Sequence, residues 1–213
     1  MHTPKPFEVT DPEAIKSLIA NYPLATWVNS GKRGLVINHV PFIYHSDALG
    51  QAVLRGHIAK ANPVWKSIND GCLTAAVFQG PQSYISPSWY VSKLDHGKVV
   101  PTWNYMVVHV HGTQRVITDK EWLIEQVGSL TDKQEEQQAQ PWKVTDAPER
   151  YTQKLLNAIV GIEIVITRTE ATWKMSQNRS IQDQQGVISA LEQTGTDQAK
   201  EMAKAIKSSN SKK

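Results

Sequence analysis

Residues 22–44 read YPLATWVNSGKRGLVINHVPFIY and predict the first β-hairpin of the chain. Two runs rich in Val, Ile and aromatic residues flank a short polar turn through Ser30–Gly34, which is the pattern of paired antiparallel strands. Pro41 lacks a backbone N–H, so it places the far end of the second strand at a sheet edge or a bulge. The hairpin therefore indicates an antiparallel sheet.

Other segments of alternating or continuous apolar residues predict further strands. They cover residues 51–58, 73–79, 99–118 as two strands around Gly112, and 162–175. Along residues 51–58 the alternation puts Val53, Arg55 and His57 on one face. Together with the first hairpin, these segments give six or seven predicted strands, in an order that hairpins can connect. That order predicts an antiparallel barrel with helical additions, an α+β fold.

Helix signals lie before, between and after these strands. The first predicted helix covers residues 11–21, with Thr10 or Asp11 as N-cap, and a second, short helix is opened by Asn62 and Pro63. A third covers residues 118–130 and begins with a Thr118/Glu121 capping box. A fourth runs from Asp146 to a stop at Gly161, and a polar helical region begins at Ser180. We expect residues 1–180 to form one domain. Residues 181–213 are expected to form a C-terminal helical extension whose polar tail is compatible with disorder.

Composition restricts the class of protein. The 213 residues suffice for one sizeable core, and 40% hydrophobic and 20% charged residues are globular values. The formal charge of +3 permits an anionic ligand, but Lys and Arg are scattered except between Lys200 and Lys213. Cys72 is the only cysteine, which excludes an intrachain disulfide and a CxxC metal site. With no signal-like N-terminus and no run of about eighteen apolar residues, we expect a reducing, cytoplasmic location away from membranes.

The segment LRGHIAKANP, residues 54–63, combines cationic side chains with a strand-to-helix junction. Arg55 and His57 share a strand face, and Lys60 precedes the helix that Asn62 caps. Cations beside free N–H groups at a helix start attract anions, so the segment is a candidate phosphate clamp. The alternative is an ordinary turn with an exposed lysine and an ion-paired Arg55.

Residues 80–93, GPQSYISPSWYVSK, are too aromatic and too uncharged for an ordinary surface loop. Pro81 and Pro87 argue against a central strand. Hydroxyl groups and amphipathic rings suit the polar edge of a planar ligand. The side chains of this kind are Ser83, Tyr84, Ser86, Ser88, Trp89 and Tyr90. The alternative is that the rings only cover the end of the barrel.

Residues 96–105, HGKVVPTWNY, and 173–178, WKMSQN, have the same polar and aromatic character. The groups in them that suit an anion or a ring are Lys98, Thr102, Trp103, Asn104, Lys174 and Gln177. All three clusters fall at strand ends or in loops, where a core role is hard to assign. Together they predict one composite pocket for a large, flat, phosphorylated ligand.

His109 and His111 lie two residues apart on a predicted strand and so share a face. The sequence offers no third ligand at a defined spacing and no HExxH motif, so we expect no metal site here. Hydrogen bonding in the core or at a ligand edge is the expected role. Cys72 begins a buried strand and Ser86 lacks the GxSxG elbow, so neither is predicted to be a nucleophile.

Several long, colinear motifs carry a family resemblance. They are RGHIAKANP, VFQGPQSYISPSWY, GKVVPTWNY, VHVHG, TDAPERY, IVGIEI and KMSQN, preceded by the opening PFEVTDPEAI. Over residues 22–178 the chain resembles the PaiB family of FMN-binding negative transcriptional regulators. The resemblance implies an antiparallel split β-barrel of the FMN-binding, pyridoxamine-phosphate-oxidase-like type with peripheral helices. It also implies a homodimer with two flavin sites at the subunit interface.

The resemblance also implies where FMN lies. It puts the phosphate near Arg55, His57 and Lys60 and the flavin ring against residues 38–42. The partner subunit contributes from residues 83–90 and 100–105, and the interface includes Trp89, Tyr90 and Trp103. The implied cofactor-binding residues are Asn38, His39, Val40, Pro41, Arg55, Gly56, His57, Lys60, Ser83, Tyr84, Ser86, Trp89, Thr102, Trp103, Asn104, Lys174 and Gln177. It implies no catalytic residue.

Three functions are compatible with a bound flavin, and the residues do not decide whether the protein is an enzyme. The first is a negative transcriptional regulator or flavin-linked sensor, and the second is a flavin-dependent oxidoreductase acting on an unidentified small molecule. A lesser alternative is a haem-binding relative on the same fold. The regulatory function implies DNA as a candidate partner, bound directly or through another protein. The one lysine-dense segment, residues 200–213, is expected to be dispensable for FMN binding and dimerisation.

Overall fold

The computed structural model describes residues 1–31, 34–46, 49–68 and 72–210. The tip of the predicted first hairpin, at residues 32 and 33, and the end of the predicted tail, residues 211–213, lie outside the described residues. The chain forms two compact units. The first unit contains Met1–Ile15, Gln79–Val108 and Glu170–Lys213, and the second contains Lys16–Phe78 and His109–Thr169. The predicted domain division at residue 180 stays a prediction.

Seven strands in the described part of the chain form one hydrogen-bonded sheet. They are β1 (Leu24–Gly31), β2 (Gly34–Pro41), β3 (Ile43–Ser46), β4 (Ala52–Ala59), β5 (Leu73–Ile85), β6 (Thr102–Ile117) and β7 (Ile159–Lys174). Their order across the sheet is β2-β1-β5-β6-β7-β4-β3. The β1–β2 pair is the predicted antiparallel hairpin, with Trp27 opposite Asn38. Pro41 ends β2, as its missing N–H predicts.

Seven α-helices occur among the described residues. They are α1 (Pro12–Asn21), α2 (Val64–Ser67), α3 (Lys93–His96), α4 (Lys120–Glu135), α5 (Glu149–Leu156), α6 (Ile181–Thr194) and α7 (Asp197–Asn210). Asp11 is the predicted cap of α1, because its Oδ1 accepts the Glu13 N–H at 3.1 Å. The prediction that a Thr118/Glu121 capping box begins α4 is wrong. Asp119 caps this helix instead, accepting the Trp122 N–H at 2.8 Å.

Strand β5 is longer than the sequence predicted, because Gly80–Ile85 belongs to it and not to a loop. The expectation that Pro81 excludes a central strand is therefore wrong. β1 pairs with β5 only from Thr74 to Val77. Pro81 lies beyond this ladder, so its missing N–H removes no hydrogen bond to β1.

Two glycines that predicted breaks in the chain lie inside strands instead. Gly112 does not separate two strands, because β6 is continuous, and a Cβ at Gly112 would lie 2.2 Å from the carbonyl oxygen of Val165. Gly161 does not end α5 but lies within β7, where a Cβ would come within 2.2 Å of the Trp122 ring. The close approach of a neighbour, and not a turn, is what requires glycine at both positions.

Each unit has its own buried core. In the second unit the largest fully buried side chains are Ile19, Trp27, Phe42, Leu54, Phe78, Leu123, Ile162 and Ile164. In the first unit they are Ile85, Leu191, Met202 and Ile206. Met202 and Ile206 lie on α7, so the segment from residue 200 onward contributes to this core. The expectation that it is dispensable for FMN binding and dimerisation stays a prediction. Removing that segment would expose the apolar surface that α7 covers.

Replacing Gly112 with Ala is expected to destabilise the protein, because the new methyl group would overlap a backbone carbonyl that cannot rotate away. Overpacking of this kind costs about 1–3 kcal/mol of unfolding free energy. Urea denaturation followed by tryptophan fluorescence measures it. The matched control is Gly128→Ala in α4, where nothing lies within 4 Å of the added Cβ and helix propensity improves by up to about 1 kcal/mol. Wild-type stability of Gly112→Ala would contradict the close approach of β6 and β7.

Candidate functional site

Arg55 belongs to an ion-pair network inside the second unit. It lies directly opposite Glu163 in the β4–β7 ladder, and its Nε donates to Glu163 Oε2 at 3.1 Å. Its Nη1 donates to Glu125 of α4 at 3.2 Å, and its guanidinium lies 5.3 Å from the centroid of the Trp122 ring. Glu163 also meets Arg115 at 3.6 Å. The charge of Arg55 is therefore largely compensated within the protein.

His57 lies on the same face of β4 and contacts α4. Its Nδ1 is 2.7 Å from Oε1 of Gln126, a residue that is almost fully buried. With the amide oxygen as acceptor, the His57 proton is on Nδ1. Nε2 then carries a lone pair and is a hydrogen-bond acceptor.

Lys60 is held at the exit of β4 by two hydrogen bonds. Its Nζ donates to the carbonyl oxygen of Asn157 at 2.7 Å, and its own carbonyl oxygen accepts the Trp65 indole N–H at 2.9 Å. A neutral carbonyl does not compensate an ammonium charge. Among the described residues no carboxylate forms an ion pair with Lys60. Helix α2 has only four residues, so its dipole adds little to the predicted clamp, and Lys60 is the main cation.

A surface groove of about 530 Å³ runs along α5 in the second unit. Its lining residues are Glu149, Arg150, Gln153, Lys154 and Asn157. Asn157 is the residue whose carbonyl oxygen holds Lys60. Two further cations therefore lie on the helix that positions Lys60, a feature that the sequence did not reveal.

The segment 38–42, predicted to border the flavin ring, alternates between core and surface. Val40 and Phe42 are buried, and His39 is exposed. Gly56 packs tightly on this segment, because a Cβ there would lie 2.8 Å from both the Phe42 ring and the Pro41 carbonyl oxygen. The side chain of Val40 and the absence of one at Gly56 thus serve packing.

In the first unit, Tyr84 on β5 and Trp103 on β6 form an exposed aromatic pair. They are 45% and 48% exposed, and their ring centroids are 6.0 Å apart at an interplanar angle of 64°. The Trp103 indole N–H donates to Gln82 Oε1 at 2.7 Å. Lys174 Nζ donates to Thr102 Oγ1 at 2.6 Å. These bonds fix the orientation of an aromatic surface and of a cation.

Other predicted ligand groups of the first unit bond within it. Asn104 is buried, and its Nδ2 donates to Ser176 Oγ at 3.0 Å. Ser176 has a φ of 61°, in the left-handed region that non-glycine residues rarely adopt. Gln177 accepts the Met175 N–H at 2.7 Å and donates to the Pro6 carbonyl oxygen at 3.1 Å. These residues hold the turn after β7 in place.

The loop after β5 is shorter than predicted and is organised by its own side chains. Ser86 Oγ accepts the Ser88 N–H at 3.2 Å and caps a 3-10 turn, Pro87–Trp89. Tyr90 is only 2% exposed, and the Arg179 guanidinium lies 4.8 Å from its ring centroid. Its assignment to a subunit interface is therefore wrong, because it is a core residue of its own protomer. The predicted side chains that remain half-buried are Ser83, Ser86 and Trp89.

Asp183 joins the end of this loop to α6. Its Oδ1 and Oδ2 accept hydrogen bonds from the Ser92 N–H at 2.9 Å and the Ser92 hydroxyl at 2.8 Å. Burial alone would raise the pKa of Asp183. The hydrogen bonds from Ser92 and Ser180 and the nearby charge of Arg179 outweigh burial, and the pKa lies below its usual value. The carboxylate therefore stays charged and anchors the loop.

His109 and His111 lie on one face of β6 in the second unit, as predicted. Their ring centroids are 6.3 Å apart at an interplanar angle of 62°. Both rings are half-buried. The expectation that they bind no metal stays a prediction.

Sequence reasoning missed the partners that orient the predicted residues. Gln126 and Glu163 are buried polar residues, and Asn157 contributes only its carbonyl oxygen. The sequence does indicate a special role for Glu163, because it is a charged residue between Ile162 and Ile164 in an otherwise apolar run. A backbone carbonyl such as that of Asn157 leaves no signal in the residue type.

The strand order and the pairing define the class of protein. The fold is an antiparallel split β-barrel with peripheral helices, as predicted. The chain is similar to the FAD and heme binding protein of Mycobacterium smegmatis, with a TM-score of 0.59 and 17% identity over 78% of this chain and 73% of that chain. A likeness at this identity shows the fold alone.

Sequence comparisons then identify the family. The family described as "Putative FMN-binding domain" matches residues 1–168. A protein of Emericella nidulans is 33% identical over 229 residues, 91% of each chain. The protease synthase and sporulation protein PAI 2 of Bacillus subtilis, or PaiB, is 30% identical over 206 residues, 97% of this chain and 96% of that protein. The chain belongs to this FMN-binding family, the resemblance to PaiB is confirmed, and FMN is its cofactor.

The residues of each unit fit FMN. In the second unit, Lys60 offers an oriented ammonium group, and the buried Nδ2 of Asn38 has no acceptor among the described residues. In the first unit, Tyr84 and Trp103 present rings to solvent. An ammonium group binds a phosphate, and an amide N–H₂ group donates to a ring carbonyl. Aromatic rings pack against the face of a planar ligand.

Among the described residues, no helix combines the length and the apolar character that a membrane span needs.

Proposed function

We propose that this protein is a flavin-linked regulator that binds FMN at the exit of β4 and influences transcription indirectly. The observation that carries the FMN site is Lys60, an exposed ammonium group held by a carbonyl oxygen and not paired with a carboxylate among the described residues. Such a cation favours a phosphate, because hydrogen bonds between ionised groups are the strong ones. The name of the Bacillus relative, a protease synthase and sporulation protein, supports a regulatory role.

Bound FMN supplies reversible redox chemistry. Lys60 binds the phosphate, because Nε2 of His57 carries no proton when Nδ1–H donates to Gln126. Arg55 keeps its two glutamate partners and supports the strand that presents His57. Residues 38–42 border the ring. Residues 83–89, 102 and 103 of the partner subunit complete the site.

FMN is expected to bind more tightly than riboflavin, and Lys60→Ala is expected to remove most of the difference. A charge-assisted hydrogen bond is worth about 1.5–3 kcal/mol, which is roughly ten- to hundredfold in Kd. Titrations followed by flavin fluorescence measure both ligands. Lys66→Ala, at an exposed lysine of α2, is the matched control and should leave both affinities unchanged. Equal affinities of the wild type for FMN and riboflavin would contradict the phosphate site.

The homodimer that we propose buries an apolar sheet face of the second unit. Leu35 and Ile37 on β2 are 72% and 58% exposed, and Leu73 on β5 is 75% exposed. Leu35 lies opposite Ser30 and Ile37 opposite Val28 on β1, so these side chains share the outward face. Exposed apolar patches of this kind are typical of protein interfaces. A two-fold axis covers the same face on both copies.

Ile37→Glu is expected to give a monomer at micromolar concentration, because the dimer would bury the new carboxylate. Light scattering measures the mass, and far-UV circular dichroism should be unchanged because Ile37 is exposed in the protomer. Leu49→Glu, at a side chain 93% exposed, is the control and should stay dimeric. A monomeric wild type, with or without FMN, would rule out the dimer.

The charge pattern of α7 supports indirect regulation. Lys200 and Lys204 are exposed, but Glu201 lies between them, and Lys207 pairs with Glu192 on α6. Scattered lysines of this kind contact phosphates and carry no base readout. Transcription would then respond through flavin chemistry on a metabolite or through a protein partner.

Only weak, sequence-tolerant DNA binding is expected, with a Kd of roughly 10⁻⁴–10⁻⁶ M at physiological salt. The Kd should rise steeply with salt concentration. Replacing Lys200 and Lys204 together by Ala should raise the Kd further. Footprinting upstream of the protein's own gene is the measurement. A discrete protected site at nanomolar protein would overturn indirect regulation and show a direct repressor.

A further inference from the structure

Two asparagines form a directed chain of hydrogen bonds between the turn after β4 and strand β2. The backbone N–H of Val64 donates to Oδ1 of Asn62 at 3.1 Å. Nδ2 of Asn62 in turn donates to Oδ1 of Asn38 at 2.7 Å. This series of hydrogen bonds connects the segment assigned to the phosphate with the segment assigned to the ring. All of its residues lie in the second unit.

The direction of this chain is fixed at its first member. A backbone N–H can only donate, so it must face the oxygen of the Asn62 amide. The nitrogen of Asn62 then points to Asn38, which must offer its oxygen. The amide group of Asn38 therefore cannot flip, and its Nδ2 points away from Asn62.

Nδ2 of Asn38 is buried and meets no hydrogen-bond acceptor among the described residues. A buried donor without an acceptor costs about 1–3 kcal/mol, so native proteins rarely keep one without a reason. Accepting the Val64 N–H does not by itself require an asparagine, because a serine or an aspartate at position 62 would accept it equally well. What Asn62 adds is the donor that orients Asn38.

We propose that Asn62 is a positioning residue that makes Asn38 a hydrogen-bond donor to a carbonyl oxygen or an unprotonated ring nitrogen on the edge of the flavin. This inference rests on the proposed function, and it adds the polarity of the contact and the residue that sets it. Because Nδ2 is covered in the free protein, the contact forms as the covering atoms give way to the ligand. Riboflavin shares this ring edge with FMN, so both ligands report on the contact.

Asn62→Asp tests the polarity, because aspartate still accepts the Val64 N–H but cannot donate to Asn38. The Asn38 amide should then turn its nitrogen to the new carboxylate and present its oxygen to the ligand. We expect about a tenfold rise in Kd for both FMN and riboflavin, from one lost hydrogen bond. Asn21→Asp, at an exposed asparagine at the end of α1, is the matched control and should change neither Kd.

Asn38→Asp is the second variant, since it keeps the acceptor for Asn62 and replaces the donor by an oxygen. It should also shift the flavin midpoint potential to more negative values, because a donor at the ring edge favours the electron-rich reduced flavin. An effect of Asn62→Asp on FMN but not on riboflavin would overturn the inference, because the new charge would then act on the phosphate.

The side-chain amide resonances of the flavin-free protein give an independent readout. In ¹⁵N NMR spectra, Asn62→Asp should shift the Asn38 NH₂ signals, because that group gains a carboxylate acceptor. Unchanged signals would overturn the assigned direction of the chain. Failure of the wild type to bind either flavin would overturn the proposed function and the ligand assigned to Asn38. Normal binding with unaffected variants would overturn this inference alone.

Discussion

The ion pair between Arg55 and Glu163 is the interaction on which the second unit depends. It joins the paired strands β4 and β7, and Glu125 and Arg115 extend it to α4 and β6. The two side chains are only 15% and 7% exposed, so removing one would leave a buried charge with only its exposed second partner, at a cost of up to about 3–5 kcal/mol. A new charge-assisted bond to a phosphate returns about 1.5–3 kcal/mol. Arg55 therefore stays with Glu163, which leaves Lys60 as the cation for the phosphate in the proposed function.

The same competition between internal partners and a ligand separates the other predicted residues. Asn104 is satisfied by Ser176 inside the first unit, and Ser86 is used to cap a turn. Trp103 and Tyr84 are oriented by internal contacts but keep nearly half of their surface in solvent. Residue type thus shows which groups are able to bind, and the internal hydrogen bonds show which remain available.

Membership in an FMN-binding family and the available donors of the second unit lead to one account of the protein. Lys60 and Asn38 are both held by neutral hydrogen-bond partners, which orient them without cancelling their charge or their donor capacity. An apolar face on β1, β2 and β5 is left for a second subunit. In the proposed function the partner subunit completes the flavin site, so flavin binding and assembly are linked, and regulation would act through either.

The sequence by itself determined what depends on neighbours along the chain. The hairpin of β1 and β2, the Asp11 cap and the hydrogen bond from Val64 to Asn62 all involve residues close in sequence. The predicted second strand ran on to Tyr44, but residues 43–46 form β3, which pairs with β4. Long colinear motifs also sufficed for the family and its cofactor. The tertiary structure alone decided the meaning of Gly112 and Gly161, which look like breaks but admit close neighbours from other elements. It also decided the role of Arg55, whose partner Glu163 is 108 residues away. Local hydrogen bonds leave a signal in adjacent residues, whereas packing and buried charge pairing depend on residues that only the fold brings together.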